Sequence, residues 1–236
     1  MKVAIIGYGK MGKLIASLAL ERGHEIVAKY NSEYPFSKDS LTKCDVAIEF
    51  TSPELAVNHI ETCLMNNLSV VSGSTGWYAE KERLETLCNE QDGSFLYASN
   101  FSLGVNILFS INERLAEILN QYPDYNPEIK EIHHTEKKDS PSGTAISLAE
   151  GLLKYYPSKE KWVNRKSNSD RELSIISERK ENVPGTHQIT YHSEIDSLSL
   201  AHVAHSRKGF ALGAIIAAEW LHGKKGTYTM NDVLKL

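Results

Sequence analysis

Cysteine is scarce in this chain of 236 residues: there are three, Cys44, Cys63 and Cys88, an odd number with no CxxC pair. That excludes a disulfide framework and a thiolate zinc site, and it predicts reduced, mostly buried thiols in a cytoplasmic protein. Neither Cys44, ahead of a strand, nor Cys63, on the apolar side of its helix, has the basic or helix-start setting of a reactive thiolate. Long apolar runs are lacking too. The stretch from Phe210 to Leu221 is broken by Glu219 and falls short of the roughly 20 residues a membrane span needs, and the opening MKVAIIGYGK is too short an apolar run for a signal peptide. Positive charge is not in excess: 26 Lys+Arg against 30 Asp+Glu leave a formal charge of -4, which offers no basic field to nucleic acid or to an anionic membrane. Trp77, Trp162 and Trp220 are scattered and provide no stacking platform for single strands. Repeats and low-complexity tracts are absent. What is present is ordinary globular material, 41% hydrophobic and 24% charged, enough for one large or two modest domains and suited to small-molecule chemistry.

Lys2 to Ile6 is a β-branched run ending at Gly7, and Met11, Leu14, Ile15, Leu18 and Ala19 then fall at helical spacing, so a strand, a tight turn and an amphipathic helix are predicted. Glu25 to Tyr30 resumes as strand. The rhythm repeats: a strand over Asp45 to Phe50, Ser52-Pro53 as cap and first helical residue, a helix over Glu54 to Asn66, a strand over Leu68 to Ser72, a helix over Glu80 to Glu90 and a strand over Ser94 to Ala98. Such alternation predicts a mostly parallel, doubly wound sheet for residues 1–102. Beyond a helix from Leu103 to Gln121 the texture changes to strands at Glu128 to His134, Glu172 to Arg179, His187 to Ser193 and Ser197 to Ala204, with one helix from Thr144 to Tyr155. Residues 103–208 therefore read as an α+β domain with a mixed sheet. The polar segment 158–170 reads as a loop. Residues 209–236 return to helix, with Ala214, Ala217, Ala218 and Leu221 on one face, and complete the first domain.

Gly7-Tyr8-Gly9-Lys10-Met11-Gly12 spells GxGxxG between a strand and a helix, the context of a dinucleotide loop in a Rossmann-like domain. The first glycine permits the turn, the second lets backbone approach a pyrophosphate, and the third allows close helix packing, while the helix start offers N–H groups and a positive dipole. The second strand ends in Tyr30-Asn31-Ser32-Glu33. Glu33 favours NADH, whereas Lys29 and the uncharged Asn31 leave space for the 2′-phosphate of NADPH, so either cofactor is compatible. Gly73-Ser74-Thr75-Gly76 and Ala98-Ser99-Asn100-Phe101 both follow strands, at the carboxyl ends where open α/β sheets bind ligands.

The densest polar cluster is Glu131-Ile132-His133-His134-Thr135-Glu136-Lys137-Lys138-Asp139-Ser140-Pro141-Ser142-Gly143-Thr144, joining a strand to a helix. Ser142-Gly143-Thr144 opens that helix, so backbone N–H groups and two hydroxyls converge on a site for a carboxylate. His133 and Lys137, just upstream, are candidate general acids beside a bound anion. The HHxxK spacing fits no zinc motif, and His202 and His205, three apart on a strand, point to opposite faces; no metal site is expected.

The segment EIHHTEKKDSPSGTA resembles the signature of the 4-hydroxy-tetrahydrodipicolinate (dihydrodipicolinate) reductases, in which two adjacent histidines, a lysine three residues on and a P-S-G-T stretch form the substrate site. The glycine loop, Gly73-Ser74-Thr75, Ala98-Ser99-Asn100-Phe101 and the closing Arg207-Lys208-Gly209-Phe210-Ala211-Leu212-Gly213-Ala214 follow in family order, so the resemblance spans nearly the whole chain. It implies His133 as acid/base, Lys137 as proton donor, and His134, Ser142, Gly143 and Thr144 as contacts to a small dicarboxylate. It also implies NADH or NADPH held by Gly7 to Gly12, Gly73 to Thr75 and Ala98 to Phe101, a homotetramer, and a place in lysine and diaminopimelate biosynthesis. The chain departs from the pattern in a glycine loop one residue shorter than in the long bacterial forms and in Asn31, where an acid or arginine often sits. A reductase of another small anion would keep the same fold, and a dinucleotide sensor would need no His133/Lys137 pair.

Overall fold

A computed structural model of the chain describes residues 1–40 and 43–236. In chain order the elements are β1 (Lys2–Ile6), α1 (Lys10–Glu21), β2 (Glu25–Tyr30), β3 (Val46–Glu49), α2 (Pro53–Met65), β4 (Ser69–Ser72), α3 (Lys81–Glu90), β5 (Ser94–Tyr97), α4 (Leu103–Leu119), β6 (Asn126–His133), α5 (Gly143–Leu153), β7 (Lys161–Val163), β8 (Glu172–Arg179), β9 (Gly185–His192), β10 (Ser197–Ala204), α6 (Lys208–Leu221), β11 (Gly226–Tyr228) and α7 (Met230–Leu234). They form two compact units: Met1–Leu103 with Lys208–Leu236, and Gly104–Arg207.

The first unit is a six-stranded parallel sheet in the order β11-β5-β4-β3-β1-β2. Its strands are short and apolar because both faces are covered, and alternate residues serve opposite layers. Val3, Ile5, Val46, Ile48, Val71 and Leu96 pack with Ile15, Ala16 and Ala19 of α1 and with Ala211, Ala214, Ile215, Ala217 and Ala218 of α6. Ala4, Ile6, Ala47, Val70 and Phe95 face the other way, onto Ala56, Ile60, Cys63 and Leu64 of α2 and Leu84 and Cys88 of α3. A fully buried Ile or Leu contributes about 1.5–3 kcal/mol, so these two layers fix the sheet that carries the loops. Small residues on α6 let it lie close to the sheet: a side chain at Gly213 would collide with the Phe101 carbonyl. Ser52 caps α2 by position only, since its hydroxyl makes no cap bond.

The tail differs from a purely helical reading. After α6 the chain adds β11, paired parallel with β5 through Gly226↔Ser94, Thr227↔Phe95 and Tyr228↔Leu96. Three residues are too few to show a period of two, which hid this edge strand. The segment 158–170 likewise contains β7, whose Lys161, Trp162 and Val163 pair with Glu172, Leu173 and Ser174 of β8.

The second unit is a mixed five-stranded sheet, β10-β9-β6-β8-β7. β9 is antiparallel to both β10 and β6, while β6, β8 and β7 run parallel. One face is covered by α4 and α5: Ile129, Leu173, Ile175, Ile189 and Tyr191 pack against Leu108, Ala116 and Leu119 and against Ala145, Leu148, Ala149 and Leu152. Asn112, fully buried in α4, donates through Nδ2 to the Leu148 carbonyl at 3.0 Å and ties the two helices together.

Candidate active site

In the first unit the loops after β1, β3, β4 and β5 all leave the carboxyl edge of the parallel sheet. The strand order reverses between β1 and β3, where doubly wound sheets bind nucleotides. Gly7 and Tyr8 donate their N–H groups to the Tyr30 carbonyl at 3.0 and 2.7 Å, so the end of β2 holds the glycine loop. Gly7 has φ +96°, and any side chain there would strike the Phe50 carbonyl; only glycine makes the turn. Gly9 is the N-cap of α1, and a Cβ built on it meets nothing within 4 Å. Open space thus lies at a helix start whose first amides have no intrahelical acceptor, a cradle that fits a dinucleotide pyrophosphate. Gly12 is buried against the Gly7 carbonyl and Ile5. Lys29 places its ammonium 5.0 Å over the Tyr8 ring. Asn31 is taken up locally, its Oδ1 accepting from the N–H groups of Glu33 and Tyr34 at 2.9 Å each.

A buried carboxylate organises the next loop. Glu49, at the end of β3 and 0% exposed, accepts from Ser72 Oγ at 2.7 Å, Ser74 Oγ at 2.8 Å, the Thr51 N–H at 2.9 Å and the Thr51 hydroxyl. Burial alone would raise its pKa, yet the polar contacts from His59, Thr51, Ser72 and Ser74 outweigh burial and hold it below the ordinary carboxylate value. The Ser74 hydroxyl also accepts from the Thr51 N–H at 2.8 Å. Ser74 is therefore turned into the protein, and Gly73 lies against the Phe50 ring. The loop presents main chain and the exposed Thr75. After β5, Ser99 is exposed and Asn100 accepts from the Ser102 N–H at 2.8 Å, but Phe101 is a core residue, its ring 5.8 Å from that of Phe50. Ser74 and Phe101, expected beside the cofactor, turn their side chains into the protein and shape the loops from beneath, so what they present at the sheet edge is main chain.

In the second unit β6 ends at His133, one residue before the end read from sequence. The change matters, because it lets consecutive histidines do different things. Glu131 and His133, two apart, share the inner face of β6 and are buried; His134 has left the strand and lines an open cleft of about 450 Å³ with Thr135, Glu136, Val183, Pro184 and Arg207. Register brings further groups to the inner face: Glu131 stands opposite His187 on β9 and beside Ser177 on β8, and His133 beside Arg179.

Glu131, 0% exposed, is the hub. Its Oε2 lies 2.6 Å from His133 Nδ1, a close polar contact off the ring N–H axis rather than an aligned hydrogen bond. Its Oε1 accepts from the Ser142 N–H and from Arg179 Nη1, each at 3.2 Å. Burial would raise this carboxyl, but contacts from His133, Ser177 and Ser142 hold it far below the usual range, so it is an anion at neutral pH. His187 Nε2 is 3.1 Å from Ser142 Oγ, and its ring centroid is 5.0 Å from that of His133. Burial, with the charge of His133 second, pushes His187 down to about 3.

Ser142 is the N-cap of α5. Its Oγ accepts from the Ala145 N–H at 3.2 Å and it is 2% exposed. Two amides at the helix start, those of Ser142 and Ala145, are thus used inside the protein, and Ser142 shapes the helix start rather than facing solvent. Gly143 does face outward: it is exposed, and a Cβ on it meets nothing within 4 Å. Lys137 is paired with Asp139, Nζ to the two carboxylate oxygens at 2.8 and 2.7 Å. Arg179 pins that loop through the carbonyls of Lys137 at 3.3 Å and Asp139 at 2.6 Å. Sequence reading missed Glu131, Arg179 and His187 as members of the site. Alternation along β6 pointed to Glu131, two residues from His133, whereas nothing local pointed to the other two.

Comparison with known proteins agrees along the whole chain. The family model for the N-terminus of dihydrodipicolinate reductase matches residues 1–101, and that for its C-terminus matches residues 104–234. The 4-hydroxy-tetrahydrodipicolinate reductase of Christiangramia forsetii is 44% identical over 234 residues, covering 99% of this chain and 98% of that one. The enzyme of that name from Archaeoglobus fulgidus is 33% identical over 262 residues, with both chains fully covered. Among solved structures, the dipicolinate-bound dihydrodipicolinate reductase of Paenisporosarcina sp. TG-14 superimposes with a TM-score of 0.79 at 26% identity over 98% of each chain. An amine dehydrogenase of Mycobacterium smegmatis, at TM-score 0.62 and 10% identity, shares the fold and no more. The paired loops, the buried Glu131–His133 couple and the match over both halves together show that this chain belongs to the dihydrodipicolinate reductase family.

Proposed function

We propose that the protein is an NAD(P)H-dependent reductase that converts 4-hydroxy-tetrahydrodipicolinate, by way of dihydrodipicolinate, to tetrahydrodipicolinate in lysine and diaminopimelate biosynthesis. The observation that carries the reading is the second unit's site: a buried His133 paired to an ionised Glu131, linked through Ser142 to a helix start left open at Gly143, in a chain 44% identical to a reductase of that name.

When bound, the reduced nicotinamide supplies hydride to C4 of the unsaturated ring. The main chain of Gly7 to Gly12 holds the pyrophosphate, and Gly73 to Thr75 and Ala98 to Phe101 complete the cofactor's bed with backbone, Thr75 and Ser99. One substrate carboxylate lies on the amides at the start of α5, with Gly143 leaving room and Thr144 adding a hydroxyl. Helix-terminal stabilisation is worth about 0.3–2 kcal/mol, so a hydrated dianion needs help. Lys137 gives it: the incoming carboxylate competes with Asp139 for the ammonium, which then stands beside the ring as a proton donor, and His134 contributes from the cleft. His133 acts as acid/base, moving the proton that completes the reduction.

The assay is direct. The dipicolinate precursor is supplied with NADH or NADPH and loss of the reduced nicotinamide absorbance is followed; oxidation no faster than with cofactor alone removes the reading. We also place the enzyme in the cytoplasm, in keeping with three free cysteines, and assign it a homotetramer. The sheet face opposite α4 and α5 carries Val203, 52% exposed, with Ile132, Thr186, Gln188, Thr190 and Ser199, a mixed surface suited to sheet-on-sheet packing of copies. Light scattering coupled to size exclusion should give four times 26.4 kDa; a monomer overturns the assignment.

A further inference from the structure

Four groups around His133 have no role in the reaction as described: Glu131, Arg179, His187 and the N–H of Ser142. Their geometry is specific. Glu131 makes polar contacts to both halves of the site, because its two oxygens diverge. Oε2 is 2.6 Å from His133 Nδ1, and Oε1 accepts from the Ser142 N–H at 3.2 Å, immediately before Gly143. Arg179 balances the charge on Oε1 at 3.2 Å, and the inner face of the sheet keeps water out.

We propose that Glu131 is a positioning residue for the reduction: it holds the proton of the His133 ring on Nδ1 and fixes the start of α5 relative to that ring. The proposal rests on His133 being the acid/base. An ionised carboxylate accepts only, and a bare Nδ1 at 2.6 Å from it would set lone pair against lone pair, so the neutral ring keeps its hydrogen on Nδ1 even with the N–H turned off the Oε2 axis, and Nε2 becomes the nitrogen that exchanges a proton with substrate. The ring's other surroundings agree. His187 covers it edge-on with centroids 5.0 Å apart. Gly185 has no side chain where a Cβ would stand 3.1 Å from Nε2, so the imidazole has space on that side only because residue 185 is glycine.

A metal centre would use the same residues, since Glu131, His133 and His187 offer ligand atoms that all lie within 4.8 Å of one another. Two features argue against it. Oε2 and Nδ1 are 2.6 Å apart, closer than the roughly 3 Å or more separating two donors bonded at about 2.0 Å to one tetrahedral ion, and the Arg179 guanidinium already occupies the other carboxylate oxygen.

The test is a double-mutant cycle on the full-length enzyme. Glu131→Gln should lower kcat by about 10- to 100-fold while the Kd for NAD(P)H stays within twofold. In a His133→Gln background the same substitution should change kcat by less than about twofold, since the ring it positions is gone. If His133→Gln slows turnover but Glu131→Gln costs the same factor with or without it, the positioning role is wrong and the acid/base assignment stands. If His133→Gln leaves kcat unchanged, the assignment falls and takes the proposal with it. A second measurement needs no folded Glu131 variant. The ¹⁵N spectrum of histidine-labelled wild type, with His133 assigned by its disappearance in His133→Gln, should show the neutral ring protonated on Nδ1. A ring protonated on Nε2, or one equivalent of zinc retained after dialysis, overturns the proposal.

Discussion

Gly143 leaves open space at the start of α5, and a valine there would project its branches into the volume a carboxylate needs. Gly143→Val should therefore weaken binding of pyridine-2,6-dicarboxylate by more than about tenfold in calorimetry, with NAD(P)H affinity unchanged; normal binding would move the anion site elsewhere. His133→Ala and Lys137→Ala should each lower kcat by roughly 10²-fold with the cofactor Kd held within twofold, as expected for groups that deliver protons. A rise in KM alone would make them binding residues. At this scale the sequence was informative about residue type and spacing and silent about direction. Ser142 and Ser74 stood in the right loops, yet their hydroxyls point inward, to Ala145 N–H and Glu49. Glu131 and His187 are 56 positions apart and meet only through the β6–β9 register, which no local pattern encodes.

Loops borrow their stiffness from the elements beneath them. The turn after β4 is tied to the end of β3 by Glu49, and removing the charge leaves the donors of Thr51, Ser72 and Ser74 poorly matched. A buried unsatisfied donor costs about 1–3 kcal/mol. Glu49→Gln should lower stability by about that amount in chemical denaturation and raise the Kd for NAD(P)H several-fold, whereas the second unit's binding of the dicarboxylate analogue in the presence of saturating cofactor should not change. If cofactor affinity is untouched, the loop does not depend on its anchor. The long elements were readable because periodicity accumulates: α1 shows its apolar stripe over 12 residues and β2 its span without error. β7 and β11, three residues each, could not be read, since their identity comes from the neighbours β8 and β5.

For the molecule as a whole, acid should act in two stages. His187 is held down to about 3 from 6.5, so between those values the unfolded chain takes up a proton that the folded chain refuses. Stability then rises with pH across this window and is lost as pH falls through it, by up to about 1.4 kcal/mol per unit. Below 4.5, Glu131 and Glu49, both lowered in the fold, add losses of the same sign because they must be protonated on unfolding. Urea titrations at pH 7, 5.5 and 4.5 should show the decline, and His187→Gln should flatten it above pH 4.5; an unchanged slope would place the proton elsewhere. The two-part layout was legible in the shift from alternating to clustered strands, but the return of α6 and β11 to the first sheet has a meaning of its own. The chain leaves the ribosome with residues 1–103 lacking an edge strand and the helix that covers half of one sheet face, and only the intervening 104–207 segment is continuous. During synthesis the second unit can close first, while the nucleotide half waits with apolar surface uncovered until Lys208–Leu236 emerges, a vulnerable interval in which chaperone capture competes with self-completion.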